Sequence, residues 1–413
     1  MSPSSLATRP DFAVKPRSTL AELRGRVQPL ADQIAAGAAQ RDLDRELPFA
    51  AFAAFKASGL GALRIPVHLG GPGGSVADLI EVITVLGEAD SNVAHALRSH
   101  FNFTESLILK PDAPRVLRHL EDVIDGKLFG GAHTEQGTKR PGDINTRLTR
   151  TDRGLRLNGR KWYATGTAFA DIASFSAKTE DDELVTALLP VDRKGITILD
   201  DWDGMGQRLT ASGGVLLEDV EVFDHELVPR ALNGLVGRHC STLRQLHLAA
   251  AAGGAVRAVL REGLDYVRKQ ARSAAHSPAE TAREDHFVQK VVGEIASRSF
   301  TIDALLAESA RALDRSAATF ADGDPHELED ALIKSSLSTA RTQVIVAELA
   351  LKAAEQMFEL GGGSATSRKY NFDRHWRNIR TVLNHNPLLH KARVIGDFFL
   401  NGTTAHLEEG KVF

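Results

Sequence analysis

The sequence has a single cysteine and no long apolar run. Cys240 is the only cysteine among 413 residues, so an intrachain disulfide is excluded and a reducing compartment is expected. The longest apolar run, residues 248–256, is too short to span a bilayer, and the N-terminal segment lacks the apolar core of a signal peptide. These absences predict a cytoplasmic protein without a membrane partner.

Strong charge of one sign and metal-binding patterns are missing as well. The formal net charge is -3, and Lys and Arg are spread along the whole chain, so nucleic acid is not an implied partner. None of the 15 histidines lies in a His-Glu-x-x-His pattern, and no metal site is expected. No Gly-x-Gly-x-x-Gly fingerprint follows a strand, so we do not expect the chain to bind NAD(P)H itself.

A chain of this length is too long for one compact core and should divide into two or three domains. In its first part, apolar residues recur at three- and four-residue steps, for example at Leu20, Leu23, Val27, Leu30 and Ile34. Further helical patterns follow, including residues 92–109 and 113–125. We therefore predict an α-helical domain over residues 1–125.

The middle of the chain has the pattern of short strands. Residues 155–166 predict two strands joined by a hairpin turn at Asn158–Gly159, because Asn-Gly is the strongest two-residue hairpin signal. Four more strand patterns follow with polar turns between them, at residues 172–178, 184–190, 195–199 and 213–223. We predict a small β domain over residues 126–232.

Long helical patterns return in the last part of the chain, at residues 239–272, 284–320, 326–360 and 376–400. Four long segments joined by short connections indicate an antiparallel four-helix bundle. Two adjacent glycines, Gly253 and Gly254, would let another helix approach the first of these segments closely. We predict a bundle domain over residues 233–413, and an α+β fold that is mainly α.

A basic segment ends with a histidine and a proline. Residues 372–387 place Arg374, Arg377 and Arg380 at helical spacing, and His385 precedes Asn386 and Pro387. One interpretation is an anion site beside a proton-transfer group. The other is a solvated basic face with a helix break at the proline.

Four motifs, together with the order of helices, β domain and bundle, resemble one known family. They are Ala132-His-Thr-Glu-Gln-Gly, Lys161-Trp-Tyr-Ala-Thr-Gly, Asp201-Trp-Asp-Gly-Met-Gly-Gln-Arg-Leu-Thr-Ala-Ser-Gly and Gln356-Met-Phe-Glu-Leu-Gly-Gly-Gly-Ser. Along nearly its whole length the chain resembles the acyl-CoA dehydrogenase superfamily. A Trp ten residues before a Ser, as in Trp202 and Ser212, resembles the flavin-dependent monooxygenase branch in particular.

The resemblance implies a flavin site on the β domain. Thr134 would touch the flavin pyrimidine, Tyr163 the isoalloxazine face, and Thr165 would lie near N5. Trp202 and Ser212 would line the pocket, with the Ser hydroxyl a hydrogen-bond partner of the flavin. Without the resemblance, these residues would be interpreted as a hairpin with an ordinary aromatic core contact and a turn serine.

The resemblance also implies that a glycine-rich segment of the bundle reaches the cofactor site of a neighbouring subunit in a homotetramer. That segment comprises Gln356, Gly361, Gly362 and Gly363, whose backbone N–H groups could approach a phosphate closely. Arg272 is a further candidate phosphate partner. A glycine-rich helix end is also an ordinary C-cap, so the motif alone is weak.

The chain lacks the catalytic base of the dehydrogenase branch. That branch removes an α-proton with a carboxylate, but no acidic residue occurs between Asp373 and Asp397, and the alternative position falls near Arg244. His385 stands in this region, and the resemblance implies that it serves in oxygen activation, with His100 as a second pocket histidine. We predict His385, His100 and Ser212 as catalytic residues.

The predicted function is that of a two-component monooxygenase. Reduced FMN, with FAD as the alternative, would come from a separate NAD(P)H:flavin reductase, react with O2 to a C4a-hydroperoxide, and oxygenate a small sulfur-, nitrogen- or aromatic-containing substrate. Gly131 and Asn386 stand where the branch has Asn and Asp, which leaves the substrate open. The alternatives are an acyl-CoA dehydrogenase or oxidase with an unusual base, and a non-catalytic binding protein.

Overall fold

The computed structural model describes residues 18–109, 114–140, 142–229, 234–322 and 324–407. Its first part is helical, as predicted. The helices are α1 Leu20–Ala35, α2 Ala38–Asp44, α3 Phe49–Ser58, α4 Val76–Ala96, α5 Arg98–Ile108 and α6 Pro114–Ile124. A capping box starts α1, in which Glu22 N–H donates to the Thr19 hydroxyl at 3.2 Å and Thr19 N–H donates to the Glu22 carboxylate at 2.7 Å.

Helix α4 is interrupted at Asp90, whose φ of -159° and ψ of 108° are not helical. The Asp90 carboxylate accepts a hydrogen bond from Asn92 N–H at 3.0 Å and pairs with Arg41 at 3.2 Å. These contacts replace the helical hydrogen bonds that the break removes. Every residue from Asp90 to Leu97 is buried, so this break lies inside the molecule.

The middle part forms one mixed sheet. Its strands are β1 Phe129–Ala132, β2 Arg147–Thr151, β3 Gly154–Lys161, β4 Ile172–Lys178, β5 Leu184–Pro190, β6 Ile196–Ile198, β7 Val215–Val222 and β8 Leu227–Pro229. They are ordered β6-β7-β3-β2-β4-β5-β8, and β1 pairs in parallel with β4. One apolar core under the sheet includes Leu157, Phe175, Leu189 and Val220.

The hairpin predicted at Asn158–Gly159 is wrong. Strand β3 runs through both residues, and its pairing with β7 shifts register there as a β-bulge; the turn before β3 lies at Asp152–Arg153. The Asn158 side chain accepts a hydrogen bond from Asp219 N–H at 2.8 Å. The Asn-Gly pair therefore forms the β-bulge, where a residue without a side chain allows close packing.

Gly159 packs directly on a buried threonine. A Cβ atom at this position would lie 2.2 Å from Thr146 Oγ1 and 2.8 Å from its Cα. We expect Gly159→Ala to lower the free energy of unfolding by about 1–3 kcal/mol, because Thr146 and the strand must move. Urea unfolding followed by circular dichroism measures the change.

Gly25, on the exposed face of α1, has no atom within 4 Å of such a Cβ and provides the matched control. Gly25→Ala should leave stability unchanged or raise it by up to about 1 kcal/mol through helix propensity. Equal effects of the two substitutions would contradict the role assigned to Gly159.

The last part is built from α7 Leu235–Lys269, α8 His286–Asp322, α9 Pro325–Gln356, α10 Asp373–Leu383 and α11 Leu388–Asn401. The helix predicted over 376–400 is broken into α10 and α11, because Pro387 cannot continue the helical hydrogen bonds. Gly254 brings α7 against α4, as predicted, since a Cβ there would lie 2.2 Å from the Thr84 carbonyl oxygen.

A buried charged group joins the first part of the chain to the bundle. Arg64 donates two hydrogen bonds to Glu105 on α5, at 2.9 and 2.7 Å, and His239 Nε2 on α7 lies 3.1 Å from the same carboxylate. Burial alone would raise the pKa of Glu105, but Arg64 and His239 lower it to about 2. This contact fixes the helices that surround the candidate site.

The predicted fold, an α+β arrangement with helices, a small β domain and a bundle, is confirmed. The domain boundary at 125/126 stays a prediction, and the boundary at 232/233 lies outside the described residues. Within the described ranges, no helix is both long and apolar enough to cross a membrane.

Candidate functional site

An exposed aromatic surface lies where β3 ends. Trp162 N–H donates to the Thr134 carbonyl at 2.8 Å, which ties the predicted pyrimidine-contacting residue to this point. Tyr163 follows, and its ring centroid lies 5.9 Å from that of Trp202. Tyr163 has a φ of 54° and is 54% exposed. A large aromatic side chain held exposed in the left-handed region is typical of a binding surface.

Three buried hydroxyl groups form a chain beneath this surface. Thr165 lies 2.8 Å from Ser212, Ser212 lies 2.6 Å from Thr210, and Thr210 donates to the Gln207 carbonyl at 2.8 Å. Because the Thr210 proton is used by Gln207, Ser212 must donate to Thr210 and Thr165 to Ser212. The Thr165 oxygen therefore keeps a lone pair for a donor outside the chain.

Gln207 connects the sheet to the helices on both sides. Its N–H donates to Asn378 Oδ1 at 2.6 Å, and its side-chain amide donates to the Asn378 carbonyl at 3.2 Å and to Ser91 Oγ at 3.3 Å. With the amide nitrogen engaged there, its Oε1 faces His95 Nδ1 at 3.2 Å. His95 must therefore donate from Nδ1, which leaves its buried Nε2 an acceptor without a partner among the described residues.

His385 lies next to His95, with ring centroids 6.5 Å apart and planes at 80°. Its Nδ1 is 3.2 Å from Asn386 Oδ1, an acceptor, so His385 also carries its proton on Nδ1 and presents Nε2 as a hydrogen-bond acceptor. Asn386 thus orients the ring without adding the negative charge of an Asp. The two side chains form what we call the imidazole pair.

The surroundings of the imidazole pair are positively charged. The Arg98 guanidinium, followed by burial, lowers the pKa of His385 to about 3. Burial and then Arg98 hold the pKa of His95 well below its usual value. In the part of the chain that the structure describes, no carboxylate is hydrogen-bonded to either ring. Both histidines are therefore neutral at physiological pH.

His100, the predicted second pocket histidine, does not join this pair. Its Nε2 donates to the Gly61 carbonyl at 3.0 Å, and its Nδ1 accepts from Phe129 N–H at 3.2 Å. Both nitrogens are used in holding α5 to the sheet, so the structure gives His100 a structural place and brings His95 to His385 instead.

The buried histidines make a testable contribution to acid stability. Burial lowers the pKa of His100 to about 4 and that of His247, which donates to the Ala94 carbonyl at 2.7 Å, also to about 4. The unfolded chain, with pKa values near 6.5, binds these protons first, so stability is complete above about pH 6.5 and falls toward pH 4 by about 3 kcal/mol for each histidine.

Urea unfolding at several pH values measures this dependence. We expect His100→Gln to reduce its slope between pH 6 and 4 by up to about one proton. His390→Gln, which removes an exposed histidine, is the control and should leave the slope in place. An unchanged slope in the His100 variant would show that His100 is not held neutral.

Known proteins resemble the chain in sequence and structure. The acyl-CoA dehydrogenase middle-domain and C-terminal-domain family models match residues 131–220 and 246–388. A probable FMNH2-dependent monooxygenase, SfnC from Pseudomonas putida, is 30% identical over 392 residues, which cover 94% of this chain and 95% of SfnC. The chain belongs to the acyl-CoA dehydrogenase superfamily.

Two further relatives place the chain in the flavin-dependent monooxygenase branch of the superfamily. Dibenzothiophene monooxygenase from Rhodococcus erythropolis is 27% identical over 419 residues, covering 97% of each chain. The crystal structure of FMN-bound TdsC from Paenibacillus sp. A11-2 superposes with a TM-score of 0.82 and 26% identity, covering 92% of this chain and 98% of TdsC. The predicted branch and enzyme class, a flavin-dependent oxidoreductase, are confirmed, and these relatives support FMN as the cofactor.

A second group of predicted superfamily residues surrounds Tyr266. A Cβ atom at Gly361 would lie 2.2 Å from the Tyr266 ring. Burial raises the pKa of Tyr266, and the nearby charge of Arg272, an exposed residue just beyond α7, acts in the opposite direction. Gly362 and Gly363 face open space. This glycine group therefore lies on the surface.

Gln356, the remaining predicted residue of this segment, is buried. Its amide nitrogen donates to the Glu294 carboxylate on α8, and its Oε1 has no partner among the described residues. Among those residues, no hydrogen bond joins Gln356, the glycines or Arg272 to the Tyr163 surface. One chain thus presents two separate groups of predicted cofactor residues.

The basic segment shows the helix break at Pro387 that the second interpretation includes, but two of its three arginines are engaged in ion pairs. Arg374 is buried and pairs with Glu262, while Arg377 pairs with buried Asp42 at 2.7 Å and with Asp373 at 2.7 Å. These arginines hold α10 to α7 and α2 and cannot also bind an anion. The proton-transfer part of the first interpretation depends on His385 alone.

The sequence prediction missed His95, Gln207 and Asn378. His95 and His100 lie in one predicted helical run, but the structure places His95 at the end of α4 and His100 on α5, and the His95 ring is the one beside His385. The available signal was Gln207 within the Gly-Met-Gly-Gln-Arg motif, a polar side chain directly after a glycine that needs a partner if buried.

Proposed function

We propose that this chain is the oxygenase component of a two-component system. It binds reduced FMN delivered by a separate NAD(P)H:flavin reductase and oxygenates a small substrate at sulfur, nitrogen or an activated aromatic carbon. The names of the relatives support reduced FMN and, for the Rhodococcus enzyme, a sulfur compound. Bound reduced FMN would supply oxygen activation through a C4a-hydroperoxide.

The observation that carries this proposal is the imidazole pair. Two neutral rings, each with its proton fixed on Nδ1 by a side-chain amide oxygen, present Nε2 lone pairs as hydrogen-bond acceptors in a positively charged pocket. A neutral acceptor can hold the proton of a peroxide and return it without first having to lose one of its own. In the described ranges no carboxylate takes this place, which argues against removal of an α-proton from an acyl thioester.

The Tyr163 surface fits the flavin ring. An exposed Tyr beside Trp202 offers area for a planar aromatic group, and the Thr165 oxygen beneath it is an acceptor. In reduced flavin N5 carries a hydrogen and is a donor, so the direction of the hydroxyl chain suits the reduced state. Thr134 and Ser212 would complete the site by holding the loop and the Thr165 hydroxyl in place.

The second group, Gln356, Arg272 and Gly361–Gly363, would bind the phosphate end of a neighbouring chain's FMN. The exposed apolar side chains Phe287, Phe300, Leu389 and Leu400 support burial between chains, since they are 80%, 76%, 86% and 84% exposed. We propose a homotetramer, which native mass spectrometry would test directly. Cys240, the single cysteine of the chain, is buried and forms no intrachain disulfide, which agrees with a cytoplasmic location.

Anaerobic stopped-flow spectroscopy tests the proposed function. The protein is mixed with reduced FMN and then with aerated buffer, and we expect a flavin–oxygen species that persists longer than in free FMN. Thr165→Val should weaken binding of reduced FMN about fivefold to tenfold by removing one acceptor. Thr149→Val, which alters a partly buried threonine on β2, is the matched control.

Immediate oxidation without a persistent species would contradict the monooxygenase proposal. The acyl-CoA dehydrogenase alternative predicts a different result, which is bleaching of the oxidised flavin by acyl-CoA thioesters. Failure to bind either flavin state would favour the non-catalytic alternative.

A further inference from the structure

Thr210 is the last hydroxyl group of the buried chain beneath the Tyr163 surface. The residues Thr165, Ser212 and Thr210 are 7%, 3% and 0% exposed. Thr210 Oγ1 is hydrogen-bonded to two oxygens, the Gln207 carbonyl at 2.8 Å and Ser212 Oγ at 2.6 Å. Since burial keeps water away from this hydroxyl, its one proton goes to one of these two acceptors.

The loop that carries Thr210 is held in one conformation. Gln207 and Ala211 have φ of 52° and 48°, in the left-handed region that residues with a side chain rarely adopt. The Thr210 carbonyl accepts a hydrogen bond from Gly166 N–H at 2.9 Å, and Gln207 N–H donates to Asn378 Oδ1 at 2.6 Å. Contacts with the loop after β3 and with α10 therefore fix the Thr210 hydroxyl between its two acceptors.

Reduced and oxidised flavin would use this chain in opposite directions. With N5 at Thr165, the N5–H of reduced flavin donates to Thr165, and each hydroxyl donates to the next until Thr210 donates to the Gln207 carbonyl. The N5 of oxidised flavin is an acceptor, so Thr165, Ser212 and Thr210 must all reverse, and the bond from Thr210 to Gln207 is lost. Trp202 Nε1 still donates to that carbonyl at 2.9 Å, so the reversal costs one hydrogen bond.

We infer that Thr210 is a positioning residue that sets the redox-state specificity of the flavin site by lowering the affinity for oxidised FMN. This inference rests on the proposed function, because it places N5 of the flavin at Thr165. A difference of one hydrogen bond corresponds to about threefold to tenfold in affinity. Oxidised FMN has to leave before the next reduced FMN can bind, so a weaker hold on the oxidised state favours exchange of the cofactor.

The alternative role of Thr210 is to hold its loop in place and nothing more. The two roles differ in what we call the redox ratio, which is the dissociation constant of oxidised FMN divided by that of reduced FMN. If Thr210 only holds the loop, its replacement must weaken both flavin states by the same factor, because the same loop lies beneath the ring in both. If Thr210 sets the direction of the chain, the redox ratio must change.

Titration of the protein with each flavin state measures the redox ratio. Fluorescence follows the binding of oxidised FMN, and the same titration under nitrogen with photoreduced FMN gives the second dissociation constant. We expect Thr210→Val to lower the redox ratio about tenfold, because Ser212 loses its acceptor and then donates to Thr165, which is the direction that oxidised FMN needs. Thr210→Ser keeps the hydroxyl and should stay within about twofold of the wild type.

Thr84→Val is the matched control for the loss of a buried threonine hydroxyl. Thr84 on α4 is 1% exposed, and its hydroxyl also donates to a backbone carbonyl, that of Ile80 at 2.7 Å, but it lies outside the hydroxyl chain. Its replacement should leave the redox ratio within about twofold of the wild type.

Thr165→Val tests the same chain at its other end and leaves the Thr210 loop as it is. Without the hydroxyl that meets N5, the redox ratio should fall about threefold to tenfold. In this background the direction of the chain no longer reaches the flavin, so adding Thr210→Val should change the redox ratio by less than about twofold.

Two results would overturn the inference: a redox ratio that is unchanged in Thr210→Val, or a fall in Thr210→Ser as large as that in Thr210→Val. The proposed function fails separately, if the wild-type protein forms no persistent flavin–oxygen species. A redox ratio that falls in Thr210→Val without that species would leave Thr210 its role in flavin selection and remove only the reaction proposed for the site. Binding of neither flavin state would overturn both.

Discussion

His385→Ala should lower the rate of substrate oxygenation by about 10²–10⁴-fold, the range for loss of a proton-transfer group. Asn386 fixes the tautomer of His385, so that its Nε2 is the hydrogen-bond acceptor that the ring presents. Without this acceptor, the peroxide proton would have no fixed place, and the flavin–oxygen species should decay faster to hydrogen peroxide. Stopped-flow decay rates and the ratio of product to hydrogen peroxide measure both effects.

His95→Ala should act in the same direction, because its Nε2 is the second acceptor of the pair. The double variant should lose much less than the product of the two single losses, since the rings act as a unit. His390→Ala, five residues beyond His385 and exposed, is the control and should retain the wild-type rate. A full loss in His100→Gln with a normal rate in His95→Ala would reverse the assignment made from the structure.

The pH dependence of the flavin–oxygen species distinguishes a neutral His385 from a histidine that carries a proton and acts as an acid. Arg98 and burial lower the pKa of His385 to about 3, so the ring stays neutral throughout the neutral range. The lifetime of the flavin–oxygen species should therefore show no histidine transition between about pH 5 and 8. A transition near pH 6.5 that disappears in His385→Ala would show that the ring is charged during turnover and that the pocket is less positive than described.

Sequence patterns were sufficient where one periodicity dominated. The long bundle helices and the short strands follow repeats of 3.6 and 2, and Gly254 on α7 signals the close helix contact that the structure contains. The family motifs also bring Thr134, Tyr163, Thr165, Trp202 and Ser212 to one surface. These residues follow β1, follow β3 or precede β7, and backbone pairing, a ring contact and a hydroxyl hydrogen bond join the three segments.

Local signals failed where a distant partner decided the structure. Asn158–Gly159 has the chemistry of a turn, but Thr146 and Asp219 accommodate it as a bulge inside β3. The arginines of α10 suit an anion until Asp42 and Glu262, more than 100 residues away, are seen to pair with them. Neither partner could be chosen from spacing along the chain.

For the same reason the sequence pattern predicted His100, and not His95, as the second histidine of the site. Both lie five residues apart in one helical pattern, and the break at Asp90 depends on Arg41, a residue of α2. Once the break is known, His95 meets Gln207 and His385, whereas His100 meets backbone groups at Gly61 and Phe129. The position of His95 beside His385 thus depends on tertiary contacts that carry no local signature.

The helices that hold the imidazole pair depend on the buried Arg64–Glu105–His239 contact. Glu105→Ala should lower the free energy of unfolding by about 3–5 kcal/mol, because it leaves the buried Arg64 guanidinium without its carboxylate. Urea unfolding at neutral pH measures the loss. Glu308→Ala, which removes an exposed pair with Arg311 on α8, is the control and should change stability by less than about 0.5 kcal/mol.

Removing both charges separates the cost of an unpaired ion from the value of the pair. In Arg64→Met combined with Glu105→Leu, apolar side chains of similar length replace the buried ions, and the loss should be smaller than in Glu105→Leu alone. A double variant as unstable as the single one would mean that the contact to His239 on α7, at 3.1 Å, carries most of the stabilisation. In that case the stability of the site would depend on the bundle's hold on α5, and His239→Leu alone should reproduce the full effect.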